Sequence, residues 1–215
     1  MNKEGFTTVL GLAFFALFLG FVGFVYNNTL LLIICAINII LVGVAVYFFR
    51  DPLRKPPDEK NAVLSPADGK IIDISEVTEP VFFEKRVMRI SIFMSLFDVH
   101  VNYIPYDGVV EYLKYSRGEY HRANTSPASI KNVHSFIGLE TKFGKLAFKQ
   151  ITGAVARRIV CNLKLDQKVA AGQKFGMIKF GSRMEVFLPE QATKTVKPGD
   201  RVRAGESVIA VFNGT

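Results

Sequence analysis

Hydrophobic and polar positions divide the chain near residue 49. From Gly5 to Phe49 there are 45 residues with no Asp, Glu, Lys, Arg or His. As one helix this stretch would run about 68 Å, more than twice the roughly 30 Å hydrocarbon core of a bilayer. It must fold back, and its most polar point is Tyr26-Asn27-Asn28-Thr29. The pattern predicts a two-helix transmembrane hairpin, with helices near residues 5–25 and 30–49. A secretory leader is disfavoured, because a second long apolar span follows and the segment before the first is nearly neutral. Asn27-Asn28-Thr29 matches a glycosylation sequon, but a turn this tight against the bilayer reads as turn chemistry.

Residues 50–62 open on a charged, proline-rich run, Arg50 to Lys60, and form a linker. After it the pattern changes to short apolar runs broken by turn signals. Lys70–Ile74, Val87–Phe93, Val109–Leu113, Ala154–Val160 and Glu185–Leu188 are rich in β-branched and aromatic residues. No segment keeps helical periodicity for three turns. The expectation for residues 63–215 is a mostly β domain, a β-sandwich with at most one short helix.

The last third repeats itself at a spacing of 33 residues. Val169-Ala170-Ala171-Gly172-Gln173-Lys174-Phe175 returns as Val202-Arg203-Ala204-Gly205-Glu206-Ser207-Val208. A turn precedes each copy, at Leu165-Asp166-Gln167 and at Lys197-Pro198-Gly199-Asp200, and Gly181 maps onto Gly214. The copies read as two related β-hairpins, similar to the half-motifs of lipoyl- and biotinyl-type domains.

Composition sharpens this division. The chain has 27 Lys and Arg against 19 Asp and Glu, a net charge of +8, yet 49% of its residues are hydrophobic. Residues 50–215 carry all of the excess, 26 basic side chains to 18 acidic. A purely soluble protein, a disordered tail and a polytopic transporter are excluded. Lys3 precedes the hairpin, and Arg50, Arg54 and Lys55 follow it, which puts the β domain on the cytoplasmic face of the membrane. Arg54 and Lys55 are the basic residues best placed by sequence to meet lipid head groups, and Phe82 and Phe83 are candidates to dip into the interface. Cys35 and Cys161 make no disulfide framework, and no Cys/His cluster has zinc spacing, so no metal is expected.

Phe180-Gly181-Ser182-Arg183 stands between the two repeat copies. Taken alone, Gly-Ser is ordinary turn chemistry. A hydrolase elbow needs G-x-S-x-G, which is absent. A serine hydroxyl can also attack the preceding glycine carbonyl, converting amide to ester, and β-elimination then leads through dehydroalanine to a pyruvoyl group. Glycine suits that attack because it has no side chain to hinder it. Asp68-Gly69 taken alone is a turn, and His100, set among apolar residues, is by itself a core histidine. His121 and His134 lie in a polar stretch where surface roles are the default.

Four motifs occur in order. They are Ser65-Pro66-Ala67-Asp68-Gly69-Lys70, then Phe93-Met94-Ser95 through Asp98-Val99-His100-Val101-Asn102 with Pro105-Tyr106-Asp107-Gly108, then Ala156-Arg157-Arg158-Ile159-Val160, and Phe180-Gly181-Ser182-Arg183 followed by Pro189. From about Leu64 to Val211 the chain resembles the short, pyruvoyl-dependent form of phosphatidylserine decarboxylase. Two departures stand out. Asn132-Val133-His134 replaces the Asn-Glu-Arg of many relatives after Ala128-Ser129, and Tyr103 stands where longer relatives carry a second histidine.

The resemblance implies self-cleavage at Gly181–Ser182 into a β chain, 1–181, and an α chain, 182–215, which stay together as a heterodimer. Ser182 becomes the covalent pyruvoyl cofactor, and Asp68 orients His100 so that it takes the Ser182 proton. The ketone condenses with the serine amine of the lipid and accepts electrons as CO2 leaves, so neither PLP nor a metal is needed. The partner is a phospholipid in the membrane, with no role for nucleic acid. Three other readings remain open from sequence alone: the same reaction on an archaeal ether lipid, a membrane-anchored lipoyl- or biotinyl-like module, and a membrane serine protease using Ser182.

Overall fold

The computed structural model describes residues 1–123, 126–153, 158–179 and 182–213. The chain divides into two compact units, Met1–Leu53 and Arg54–Thr215.

The first unit is a pair of helices, α1 (Lys3–Val25) and α2 (Thr29–Phe48), each long and apolar enough to cross a membrane. At 1.5 Å per residue they are about 34 and 30 Å long. Asn27 makes the reversal at φ 47°. Asn28 then caps α2, its Oδ1 accepting the Leu31 N–H at 3.2 Å. Asn2 caps α1 in the same way through Glu4, at 3.0 Å, so the few polar residues here serve the helix ends. The Asn2 N–H donates to the Phe49 carbonyl at 2.8 Å and closes the base of the hairpin.

The second unit is mostly β. Its strands are β1 (Ala62–Leu64), β2 (Gly69–Glu79), β3 (Lys85–Met94), β4 (Val101–Tyr103), β5 (Gly108–Ser116), β6 (His134–Thr141) and β7 (Gly144–Thr152). After these come β8 (Arg158–Cys161), β9 (Lys168–Val169), β10 (Lys174–Lys179), β11 (Ser182–Leu188), β12 (Ala192–Lys194), β13 (Arg201–Val202) and β14 (Val208–Phe212). One short helix, α3 (Ser126–Lys131), precedes β6. Eight strands form a curled antiparallel sheet in the order β13-β2-β3-β11-β7-β6-β5-β9. Two three-stranded sheets, β1-β14-β12 and β4-β10-β8, complete the unit. One apolar core holds Ile71, Ile90 and Ile92 of the large sheet with Val63, Phe212, Phe175 and Ile178 of the small ones.

Strand β11 joins the two halves of the large sheet, paired to β3 on one side and β7 on the other. All seven of its residues are buried. Met184, Val186 and Leu188 face the main core. By the two-residue period of a strand, Arg183, Glu185 and Phe187 face the other way.

The repeat at Val169 and Val202 is real, but its copies are not hairpins closed on themselves. Each copy starts as an edge strand of the large sheet, β9 on β5 and β13 on β2. Each turns at a left-handed glycine, Gly172 at φ 74° or Gly205 at φ 68°, and continues as the central strand of a small sheet, β10 or β14. The two copies receive matching turns, Pro66-Ala67-Asp68-Gly69 and Pro105-Tyr106-Asp107-Gly108. Asp68 Oδ1 accepts the Ala204 N–H at 2.8 Å, and Asp107 Oδ1 accepts the Ala171 N–H at 2.7 Å. The backbone repeats the match. Gly205 N–H donates to Ser65 and Gly172 N–H to Ile104, while Leu64 and Tyr103 donate to Pro105 and Pro66 across the axis, all between 2.8 and 3.0 Å. The duplication therefore covers both a turn-and-strand unit early in the domain and the V-x-A-G unit that docks on it.

Two assignments made from sequence change. Phe82 and Phe83 do not reach outward: they are buried with Val87, Ala147 and Phe187 in a second apolar cluster. Their N–H groups donate to Glu79 Oε2 at 2.7 and 2.8 Å, which fixes the turn that buries them. Arg54 is not a head-group contact. Its guanidinium, 9% exposed, bonds both Asp68 oxygens at 2.7 and 2.9 Å and Glu206 at 3.0 Å. Burial acts to lower the Arg54 pKa, but Asp68 and Glu206 outweigh it and raise it.

Asp107→Ala is expected to cost about 1 kcal/mol, the usual net worth of one hydrogen bond. Asp68→Ala should cost about 1–2 kcal/mol more, because Arg54 also loses a partly screened ionic partner. Thermal unfolding of the detergent-solubilised chain measures both, and equal losses would remove Arg54 from the account.

Candidate active site

Ser182 opens β11 opposite Met94 of β3 and Thr152 of β7. Its side chain is fully buried, and its hydroxyl donates to Met94 Sδ at 3.2 Å. A thioether is a weak acceptor, so this bond holds the hydroxyl loosely. The same sulfur receives Asn102 Nδ2 at 4.0 Å, and Asn102 Oδ1 accepts from Gln150 Nε2 at 3.0 Å. Gln150 Nε2 also reaches the Val160 carbonyl at 3.3 Å. Asn102, Gln150 and Thr152 are buried polar side chains at one end of an otherwise apolar core.

His100 is fully buried just before β4. Its Nδ1 lies 2.9 Å from the Asp98 carbonyl. A carbonyl can only accept, so this contact favours the proton on Nδ1 and leaves Nε2 as the basic nitrogen. The turn before it is tied by Asp98, whose Oδ2 accepts both the N–H and the hydroxyl of Ser95 at 2.7 Å. The Asp68 carboxylate is engaged by Arg54 and the Ala204 N–H rather than by His100. Gly181, the other half of the expected cleavage bond, lies outside the described residues, as do Ala156 and Arg157 of the third motif.

The Asn132-Val133-His134 segment has a definite structural task. Asn132 Nδ2 donates to the Thr152 carbonyl at 2.7 Å and to the His121 carbonyl at 2.8 Å, and its Oδ1 accepts the His121 N–H at 2.8 Å. Asn132 thereby clamps the preceding loop to the end of β7, beside Ser182. His121 itself pairs with Glu119 at the surface.

The opposite face of β11 carries an ionic network that sequence reading did not anticipate. Arg183 bonds Ser91 Oγ at 2.7 Å and Glu185 at 2.9 Å. Glu185 also accepts from the Ser129 hydroxyl. Arg89 reaches Asp73 at 2.9 Å and Ser75 at 3.0 Å, and Lys149 donates to the Ser129 carbonyl at 2.6 Å. Arg89, Lys149, Ser129 and Glu185 border a cavity of about 520 Å³ that is also lined by His134 and Tyr112. Burial pulls the Lys149 and Arg183 pKa values down, while Glu185 partly restores both. Charged residues at Arg183 and Glu185 within an apolar run were the visible signal, but only strand pairing brings Arg89, Lys149 and Ser129 to them.

With the geometry in place, comparison with known proteins points to one family. The family model described as phosphatidylserine decarboxylase matches residues 41–210. A phosphatidylserine decarboxylase proenzyme of Chlorobium limicola is 42% identical over 212 residues, 99% of this chain and 100% of its own. That of Prosthecochloris aestuarii is 44% identical over 177 residues, 82% of this chain and 81% of its own. That of Salinibacter ruber is 46% identical over 167 residues, 76% and 74% of the two chains.

The cavity on the far face also sets an acid limit. Burial, and then the charge of Lys149, lower the His134 pKa below its ordinary 6.5. The fold therefore prefers the neutral ring. Its contribution to stability is complete above 6.5 and is lost as the pH falls from there through the folded value. His134→Gln should flatten the fall of the thermal midpoint between about pH 7 and pH 5. An unchanged slope in that variant would show that other groups set the limit.

Proposed function

The chain belongs to the phosphatidylserine decarboxylase family, and from that premise we propose that it is a carboxy-lyase converting phosphatidylserine to phosphatidylethanolamine and CO2. In this reading it acts through a pyruvoyl group made from Ser182 when the Gly181–Ser182 bond breaks. The observation that carries the reading is the position of Ser182: a buried hydroxyl, on a weak thioether acceptor, at the first residue of the strand that joins both halves of the sheet.

In maturation the Ser182 hydroxyl oxygen adds to the Gly181 carbonyl carbon. The C–N bond breaks as the ester forms, and the released amine keeps the proton. Removal of the Ser182 α-proton expels the Gly181 carboxylate with the C–O electron pair. The dehydroalanine left behind tautomerises, takes up water and loses ammonia. His100, with Nε2 as its basic nitrogen, is the proposed base that takes the Ser182 proton. Asp68 serves as a positioning residue: it fixes Ala204 and Arg54, and so the docking of the segment that follows Ser182.

A flat pyruvoyl group suits the buried slot between Met94 and Thr152 better than a charged one would. When formed, it supplies the electron sink that decarboxylation of an amino acid requires. The chain's own residues then orient the head group, exclude water and, through His100, return a proton to the α-carbon. Residues 182–215 stay in place after cleavage because β11, β12, β13 and β14 pair into both the large sheet and one small sheet. The α-helical hairpin holds the enzyme in the cell membrane. Lys3, Arg50 and Lys55, flanking the spans, support a cytoplasmic β unit. No PLP or metal enters the proposal.

Ser182→Ala should abolish both cleavage and decarboxylation, since it removes nucleophile and cofactor precursor together. Intact mass spectrometry of the wild type should give a 34-residue fragment, 182–215, with a blocked N-terminus. Hydroxylamine should inactivate the enzyme, and borohydride added with substrate should fix the substrate amine to that fragment. An active, uncleaved Ser182→Ala protein would sink the reading. His100→Ala should accumulate precursor, and maturation at the wild-type rate would remove His100 as the base.

A further inference from the structure

The turn between β3 and His100 is built against turn propensity. Its i→i+3 bond runs from the Asp98 N–H to the Ser95 carbonyl at 3.1 Å, which puts Leu96 and Phe97 at the two corners. Corner positions favour Gly, Pro, Asn, Asp and Ser. Here the polar residues are the ends, and they are turned inward. Ser95 is bonded twice to Asp98 Oδ2, Asp98 Oδ1 meets Arg201 at 3.4 Å, and the Asp98 carbonyl meets His100. Leu96 and Phe97 are turned outward, 49% and 75% exposed. A single polar turn residue at either corner would have folded equally well, so packing within the domain does not explain the pair.

The surroundings indicate what covers them. The turn follows Met94, the direct cross-strand neighbour of Ser182. One step back along β3, Phe93 pairs with Lys70, and Lys70 with Arg201, so two exposed cations lie in the adjoining row of the sheet. Lys179 and Arg158 pair at the end of β10, just ahead of residues 180–181. The one acidic side chain in the turn, Asp98, is committed to Ser95 and Arg201. Two large apolar side chains on a tied tip with a cationic rim match the surface of a bilayer containing anionic lipid.

We propose that Leu96 and Phe97 insert into the bilayer surface and that this contact presents lipid head groups to the reactive end of β11. The proposal rests on the decarboxylase reading above. One turn then does two tasks: its inner side holds His100, and its outer side holds the membrane.

The chain contains no tryptophan, so Phe97→Trp supplies a single reporter. In full-length proteoliposomes, the emission of the introduced indole should shift to the blue and be quenched by lipids brominated near the head group. Leu96→Ser/Phe97→Ser should cleave itself as the wild type does and decarboxylate a short-chain, monomeric phosphatidylserine at an unchanged rate. Its rate on bilayer substrate should fall about tenfold, as expected from losing the burial of two large apolar side chains. An indole spectrum indifferent to brominated lipid, or an equal loss on both substrates, overturns the proposal. Should Phe97→Trp fail to cleave itself, Leu96→Trp carries the same measurement. A wild-type chain that never cleaves would instead refute the decarboxylase reading, and denaturing electrophoresis separates that failure from this one.

Discussion

A backbone N–H given to an aspartate oxygen, from Ala204 to Asp68 and from Ala171 to Asp107, closes each half of the β unit. The bond lies where a turn of one segment meets a turn of another far along the chain. A carboxylate there satisfies an N–H that strand pairing leaves over, and charge-assisted bonds of this kind are roughly twice as strong as neutral ones. Around it the glycines of both turns let two backbones approach, and β9 and β13 become edges of the large sheet. The domain can thus be understood as one device used twice, with β11 as the strand that joins the two uses. The Asp68 copy carries a further load, because Arg54 ties the linker to it and to Glu206.

That difference bears on what Asp68 does. A residue with a working structural twin needs no catalytic explanation for its presence in the turn. Its distinguishing contact is with Arg54, which it shares with Glu206, and its backbone partner Ala204 belongs to the segment after Ser182. Loss of Asp68 would loosen the docking of residues that flank the reactive strand. An effect on maturation would follow without any direct contact with His100. The proposed cleavage makes such docking matter more, since after it only pairing and burial retain residues 182–215.

The sequence shows best what is local. The helical hairpin was legible because 45 uncharged residues broken by Tyr26-Asn27-Asn28-Thr29 allow little else, and the caps at Asn2 and Asn28 agree with it. The strands were legible from their apolar runs. The repeat was legible as a repeat, yet its copies looked like hairpins because spacing says nothing about which strand is the partner. The Pro-x-Asp-Gly twin of the Asp68 turn was also in view, at Asp107, but its meaning depends on a contact 64 residues away. Phe82 and Phe83 show the same limit. Two adjacent aromatics on a turn look like an exposed anchor, and the Glu79 carboxylate that folds them inward acts through backbone N–H groups. Gln150, Asn102 and Met94 could not be singled out, because each is a common residue whose role comes only from being brought together beside Ser182.

The two faces of β11 require opposite environments, and strand geometry supplies both at once. Successive side chains alternate, so a strand that starts with Ser182 facing the core must turn Arg183 away from it. Burying that guanidinium unpaired would be costly, and Glu185, two residues on and on the same face, offsets the cost, with Ser91 and Ser129 completing the set. The ionic network is therefore a condition for placing a serine hydroxyl in a buried, sulfur-lined slot on the other side. Removing water from around a group strengthens every local electrostatic interaction and excludes hydrolytic side reactions. A strand exposed on one face could have carried Arg183 without Glu185, but its edge would not have joined two half-sheets. Central placement, full burial and the Arg183–Glu185 pair are in this sense one requirement, imposed by where Ser182 has to be.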